Sequence, residues 1–250
     1  MSFSIKLGNF LFRHAYFLYR PLYSAFKQKQ DAFEISLLRQ FVKPGDIILD
    51  IGANIGFYAK LLSGLAGKNG TVHCFEPDEI NFNRLQAACG KISNIILNEK
   101  AAGPRTEKIK IYTSPTLNVD HRTYKPDHYE NEIEIDAVSI DDYLEKRAKG
   151  LKVNVVKMDI QGFENQALLG MRKTLELNSH MVMLSEFWPY GLKKAGTTPS
   201  IYYEYLKSMG FTVLLIENNK LTELDQDKTK AMEDLGEEHY FNILAKKGDV

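Results

Sequence analysis

Acidic residues close three apolar runs in this 250-residue chain, each beside a turn or a helix start. Asp50 lies in Ile48-Leu49-Asp50-Ile51-Gly52-Ala53-Asn54-Ile55-Gly56-Phe57, Glu76 in Phe75-Glu76-Pro77, and Asp159 in Val155-Val156-Lys157-Met158-Asp159-Ile160-Gln161-Gly162-Phe163-Glu164. A helix that begins after a Gly-rich turn presents free backbone N–H groups and a positive dipole end, which usually suits a pyrophosphate. A fixed carboxylate at Asp50 repels phosphates and favours an ammonium group or a cationic sulfur. S-adenosyl-L-methionine carries both. The glycines agree, because Gly52 and Gly56 bracket Ala53, Asn54 and Ile55 without the middle glycine of the dinucleotide pattern. Glu76 follows about 20 residues later, where an acid ending the second strand can accept hydrogen bonds from a ribose diol. The expected cofactor contacts are Asp50, Gly52, Ala53, Asn54, Gly56, Phe57, Glu76, Pro77 and Asp159.

Those residues need a sheet edge to bring them together. Strand-like runs at 47–51, 71–75, 95–97, 153–158, 181–185 and 211–216 alternate with helical patterns at 58–65, 79–89, 164–177 and 201–209. Tyr240 to Ala245 reads as a last, antiparallel strand. Alternation of this kind specifies a doubly wound, mostly parallel seven-stranded sheet. Ligands of such sheets sit at the carboxyl ends of neighbouring strands, so Asp50, Glu76 and Asp159 should converge. A helix over 31–42 should cover the sheet, and residues 1–30 form an accessory helical segment ahead of one domain over 31–250. Two stretches break the rhythm. Between alternating strands at Ile109–Tyr112 and Ile133–Asp136, the polar loop 113–131 is either a substrate-touching lid or a solvated connector. The charged stretch 218–238 reads as a surface excursion.

Composition narrows the function. Formal charge is zero with 32 basic and 32 acidic residues, so no global field recommends nucleic acid as a partner. Two cysteines, Cys74 and Cys89, argue against a disulfide framework and for a reducing, cytoplasmic setting. The Phe-, Leu- and Tyr-rich run from Leu11 to Tyr23 is too short and too interrupted to span a bilayer, while weak contact of this helix with a membrane surface stays open.

In order and spacing, the three motifs resemble the FkbM family of methyltransferases, with a weaker match at Leu97–Gly103 and at Val138–Leu144. That resemblance covers roughly 33–246. It implies a class I methyltransferase (Rossmann-like) fold, S-adenosyl-L-methionine as cofactor, and O-methylation of a hydroxyl on a sugar, glycolipid or polyketide-type natural product. Relatives usually carry glutamate where this chain has Gln161, which cannot act as a base. Either that position only hydrogen-bonds, or the proton is taken by Asp159, Glu164 or Glu186. Asp159 leads, and Glu164 could instead serve the helix dipole. Aromatic Trp188 could stack on an acceptor or pack against the lid or N-terminal helix. No metal site is expected, although Asp159 with Glu186 could hold a Mg²⁺ and His121 with His128 a transition metal. The competing classes are a noncatalytic cofactor-binding module, transfer to nitrogen, and an NAD-dependent oxidoreductase, which the glycine pattern disfavours.

Overall fold

The computed structural model describes residues 3–113, 122–123, 125, 129, 131–147 and 150–249, with the backbone alone for 3–7. In chain order the helices are α1 (Phe3–His14), α2 (Tyr16–Gln30), α3 (Ala32–Phe41), α4 (Phe57–Ala66), α5 (Glu79–Cys89), α6 (Ile140–Arg147), α7 (Glu164–Leu169), α8 (Arg172–Leu177), α9 (Pro189–Lys194), α10 (Pro199–Ser208) and α11 (Gln226–Met232). The strands are β1 (Ile47–Ile51), β2 (Thr71–Phe75), β3 (Ile95–Asn98), β4 (Ala101–Ala102), β5 (Glu107–Tyr112), β6 (Glu132–Val138), β7 (Val155–Met158), β8 (Met181–Phe187), β9 (Thr212–Glu217), β10 (Lys220–Glu223) and β11 (Phe241–Lys247).

The main sheet has eight strands in the order β10-β9-β11-β8-β7-β1-β2-β3. From β3 to β8 all pairs are parallel, and β11 runs antiparallel between β8 and β9. This is the expected doubly wound sheet with its antiparallel last strand. The eighth member, β10, is a fully exposed edge strand that hairpins off β9 through Asn218 and Asn219, both at positive φ. β5 and β6 pair antiparallel and join β4 in a separate three-stranded sheet. The single helix expected over 164–177 is broken at Gly170, whose close approach to the Gly103 carbonyl leaves no room for a Cβ.

Strand alternation explains where the charged residues go. Leu49 and Ile51 of β1 pack with Phe75, Val156, Met158 and Phe187 on one face, while Ile48 packs with Val72, Cys74, Val155 and α4 residues such as Leu62 on the other. Asp50 and Lys157 share the second face by the same period of two, and they are direct partners across β1 and β7.

The N-terminal helices are tied to the sheet domain. The Arg84 guanidinium of α5 lies 3.3 Å from the Phe12 ring centre and donates to the Phe12 carbonyl at 2.6 Å. Asp31, at the junction of α2 and α3, accepts from the Tyr58 hydroxyl at 2.7 Å and pairs with Lys27 at 2.5 Å.

Candidate active site

A cavity of about 330 Å³ opens at the carboxyl ends of β7, β1 and β2. Its wall includes Gly52, Ala53, Asn54, Phe57, Glu76, Pro77, Asp159 and Glu186. Asp50 and Gly56 stand behind that wall, and Glu164 is buried outside it.

The turn after β1 is built by left-handed residues. Gly52, Asn54 and Gly56 have φ of 80°, 48° and 87°, a conformation that suits glycine and is tolerated by asparagine. A Cβ on Gly52 would sit 2.0 Å from the Asp159 carbonyl oxygen, so the β1 and β7 turns touch here through backbone. Gly52 and Ala53 both donate their N–H to the Phe75 carbonyl at 3.0 Å. Glu76 completes the join. Its Oε2 accepts from the Asn54 N–H at 2.8 Å and its Oε1 from the Asp78 N–H at 3.0 Å. Burial pushes its carboxyl up to about 8, against the pull of those two donors. A carboxylate offers roughly four acceptor positions, so lone pairs remain toward the cavity.

Asp50 is fully buried, and neither of its oxygens has a hydrogen-bond partner among the described residues. Burial raises it to about 6, with Lys157 drawing it down and Asp159 pushing it up. An orphaned buried carboxylate is rare enough to require an external partner or a nearby positive charge.

The third corner is a charge cluster. Lys157 is buried under the Tyr58 ring, 4.8 Å from its centre, and lies 3.5 Å from Asp159. Burial works to lower its pKa, but the charges of Asp159, Asp50 and Glu186 more than offset that and raise it, so it stays a cation. Burial likewise works to raise Asp159, yet Lys157, Lys27 and a hydrogen bond from Gln161 hold it below the usual range. The Asp159 side chain keeps 38% of its surface open to the cavity. Gln161, at φ 57°, donates Nε2 to Asp159 Oδ1 at 3.2 Å and to both Glu186 oxygens at 3.3 Å. Glu164 accepts from the Ile160 N–H at 2.9 Å, while its second oxygen has no partner among the described residues; burial raises it to about 7. It therefore braces the turn that carries Asp159 and Gln161.

Sequence reading missed Lys157 as a site residue, though a lysine in the otherwise apolar β7 was a signal. It also missed Tyr23, Phe26, Lys27 and Gln30, which place α2 on the cavity wall. Trp188 is not on that wall: its Nε1 donates to the Glu237 carbonyl at 3.0 Å, and the Arg122 guanidinium lies 5.0 Å from its ring. Arg122 and Thr123 belong to the 113–131 loop, whose neck is closed by Thr113–Asn131 hydrogen bonds, and Thr123 reaches the cavity. Pro115, Asp120, His121, Tyr124, Asp127 and His128 lie outside the described residues. Among the described residues no group of three or more His, Cys, Asp or Glu is arranged to hold a metal ion, and no helix is long and apolar enough to cross a membrane.

The family model of the methyltransferase FkbM domain matches residues 50–226, from Asp50 through all three acidic motifs. The chain belongs to the FkbM methyltransferase family. Membership bears out the resemblance read from the motifs. Over 142 residues the chain is 29% identical to hexuronic acid methyltransferase AglP of Haloferax volcanii, a match covering 57% of this chain and 56% of that protein. It is 28% identical over 109 residues to 31-O-demethyl-FK506 methyltransferase FkbM of Streptomyces tacrolimicus, covering 41% and 38%. The chain thus spans about half the length of the curated relatives it matches. A proposed rRNA-methylase from Clostridium thermocellum superposes with a TM-score of 0.50 at 14% identity, covering 86% of this chain and 94% of that one. At such identity the likeness concerns the fold alone.

Proposed function

We propose that this FkbM-family chain is an S-adenosyl-L-methionine-dependent O-methyltransferase acting on a hydroxyl of a sugar, glycolipid or polyketide-type small molecule. The observation that carries the reading is Glu76: a buried carboxylate on the cavity wall that fixes the glycine turn through the Asn54 N–H and its own loop through the Asp78 N–H, and leaves other lone pairs for a ribose diol. Asp50, buried with no hydrogen-bond partner among the described residues, fits the same cofactor through its charge. When bound, the cofactor supplies a methyl group on a positively charged sulfur. Ala53, Asn54, Phe57 and Pro77 shape its seat. Asp159 takes the acceptor hydroxyl's proton on a carboxylate oxygen, and Lys157 keeps that carboxylate ionised beforehand. Gln161 ties Asp159 to Glu186 and fixes both orientations, because only an NH₂ end is attractive between two carboxylates. Glu164 is a positioning residue, acting through the Ile160 N–H. Residues 1–30 are an accessory segment of a 31–250 methyltransferase domain, and Tyr23 and Phe26 help keep water from the transfer.

The names of the two relatives, one a hexuronic acid methyltransferase and one acting on 31-O-demethyl-FK506, favour an oxygen acceptor on a small molecule or glycan over nucleic acid. Asp159 and Glu186 facing an open cavity favour an enzyme over a noncatalytic module. The buried free thiols Cys74 and Cys89 suit a reducing, cytoplasmic compartment. The test is transfer of labelled methyl from S-adenosyl-L-methionine to a panel of hexuronic acids, neutral glycans, polyketide alcohols and amines. Asp159→Asn should lose at least about 10²-fold in turnover with donor affinity nearly intact. A large loss of donor affinity would make Asp159 a cofactor ligand instead. Labelling confined to amines would replace the oxygen acceptor with nitrogen.

A further inference from the structure

The first thirty residues contain Lys6, Arg13, Arg20, Lys27 and Lys29 and no Asp or Glu, in a chain that carries 32 basic and 32 acidic residues in all. Helix α2 within that segment has two unlike faces. Tyr16, Tyr19, Tyr23 and Lys27 turn inward and are half-buried, with Tyr23 and Lys27 on the cavity described above. On the outward side Phe17 is 77% exposed, Leu22 61% and Leu18 47%, and Phe10 of α1 adds 58%. Exposed helix faces of globular proteins are normally polar, and a contiguous apolar patch marks a docking surface.

A second cleft, of about 290 Å³, opens where α2 meets α3 and the start of α4. Arg20, Arg39 and Lys60 line it together with Ser24 and Gln28, and no carboxylate does. None of these three cations forms an ion pair among the described residues. Arg20 sits on α2 itself, so the cleft borders the apolar face.

We propose that α1 and α2 dock on an anionic lipid bilayer, with the apolar face at the acyl boundary and a headgroup phosphate held between Arg20, Arg39 and Lys60. Aromatic and leucine side chains on one face with basic residues around them are what an interfacial helix needs, and neither element alone anchors firmly. The charge of the segment selects an anionic surface over a neutral one. Since the inner face of α2 is a wall of the donor cavity, docking brings that cavity to the bilayer and favours acceptors anchored there. That last step rests on the methyltransferase reading; the docking does not.

Flotation of the full chain with phosphatidylcholine vesicles, with and without phosphatidylglycerol, tests the docking without donor or acceptor. Binding should require phosphatidylglycerol and weaken with added salt. The double substitution Phe17→Ser with Leu22→Ser should abolish it, with thermal melting verifying the fold. Arg20→Gln with Arg39→Gln, both exposed, should weaken it about 25-fold, at about fivefold for each cation. Inorganic phosphate alone should show no saturable binding. Equal binding to neutral vesicles, no binding, or indifference to both double variants overturns the proposal. Saturable binding of inorganic phosphate reassigns the cleft to a soluble phosphate and overturns it too.

Discussion

If the ionised Glu76 carboxylate holds the ribose, donor affinity must depend on pH in a way set by burial. Its pKa in the free protein is pushed up to about 8 by burial. At pH 7 about one molecule in ten then carries the carboxylate, so a ligand that needs it binds about tenfold more weakly than at high pH, and about tenfold more weakly again for each unit below. The assay is calorimetric titration with 5′-methylthioadenosine between pH 6 and 9. That ligand has the ribose but lacks the amino acid part, whose amine titrates near 8. Affinity should rise steeply from pH 6 and level off above about 8, with release of close to one proton per ligand at pH 7. Glu76→Gln should flatten the profile. A flat profile that meets the wild type at pH 6 lies about 10²-fold below it at pH 9, a loss that one or two hydrogen bonds to a charged acceptor, at about 1.5–3 kcal/mol each, account for. A wild-type profile flat across this range refutes the assignment, whatever the variant does.

Three substitutions probe the rest of the site. Asp50 rises from 3.8 to about 6 on burial, so its stabilising share is present below pH 4 and lost as pH rises through 6. Asp50→Asn should therefore stabilise the ligand-free protein above pH 6 by up to about 3 kcal/mol and leave it unchanged near pH 4, while donor affinity falls; denaturant unfolding at the two pH values measures it. Gly52→Ala combines φ of 80° with a Cβ 2.0 Å from the Asp159 carbonyl oxygen, so a loss of at least about 2 kcal/mol in melting experiments is expected, together with weakened donor binding. Gln161→Glu would put a third carboxylate between Asp159 and Glu186, so one of them should keep its proton to higher pH and the acid limb of the rate profile should move up by about one unit. An unmoved limb means that this trio does not govern the chemistry.

The parallel core was legible because β1, β2, β7 and β8 are apolar runs buried on both faces and separated by periodic helices. Convergence of Glu76 and Asp159 followed from topology alone. The retreat of Asp50 behind the wall was not legible: its position in β1 sends its side chain to the face shared with Ile48 and Lys157, and that depends on the pairing register. Nor was the role of α2. Its inward residues alternate with an apolar outer face, so its pattern does not say which side meets the protein. Gln161 became interpretable only once its amide was seen between two carboxylates, and Trp188 only once its indole N–H was spent on the Glu237 carbonyl. β10 lacks an apolar period altogether; as an edge strand it takes its shape from hydrogen bonding to β9.

The cavity is expected to hold S-adenosyl-L-methionine. Calorimetric titration of the full chain with S-adenosyl-L-methionine, then with NAD, tests it most directly. Saturable micromolar binding of the first, none of the second, and loss of the first in Glu76→Ala is the expected result. Binding of NAD in place of S-adenosyl-L-methionine, or donor binding that survives Glu76→Ala unchanged, would contradict the account.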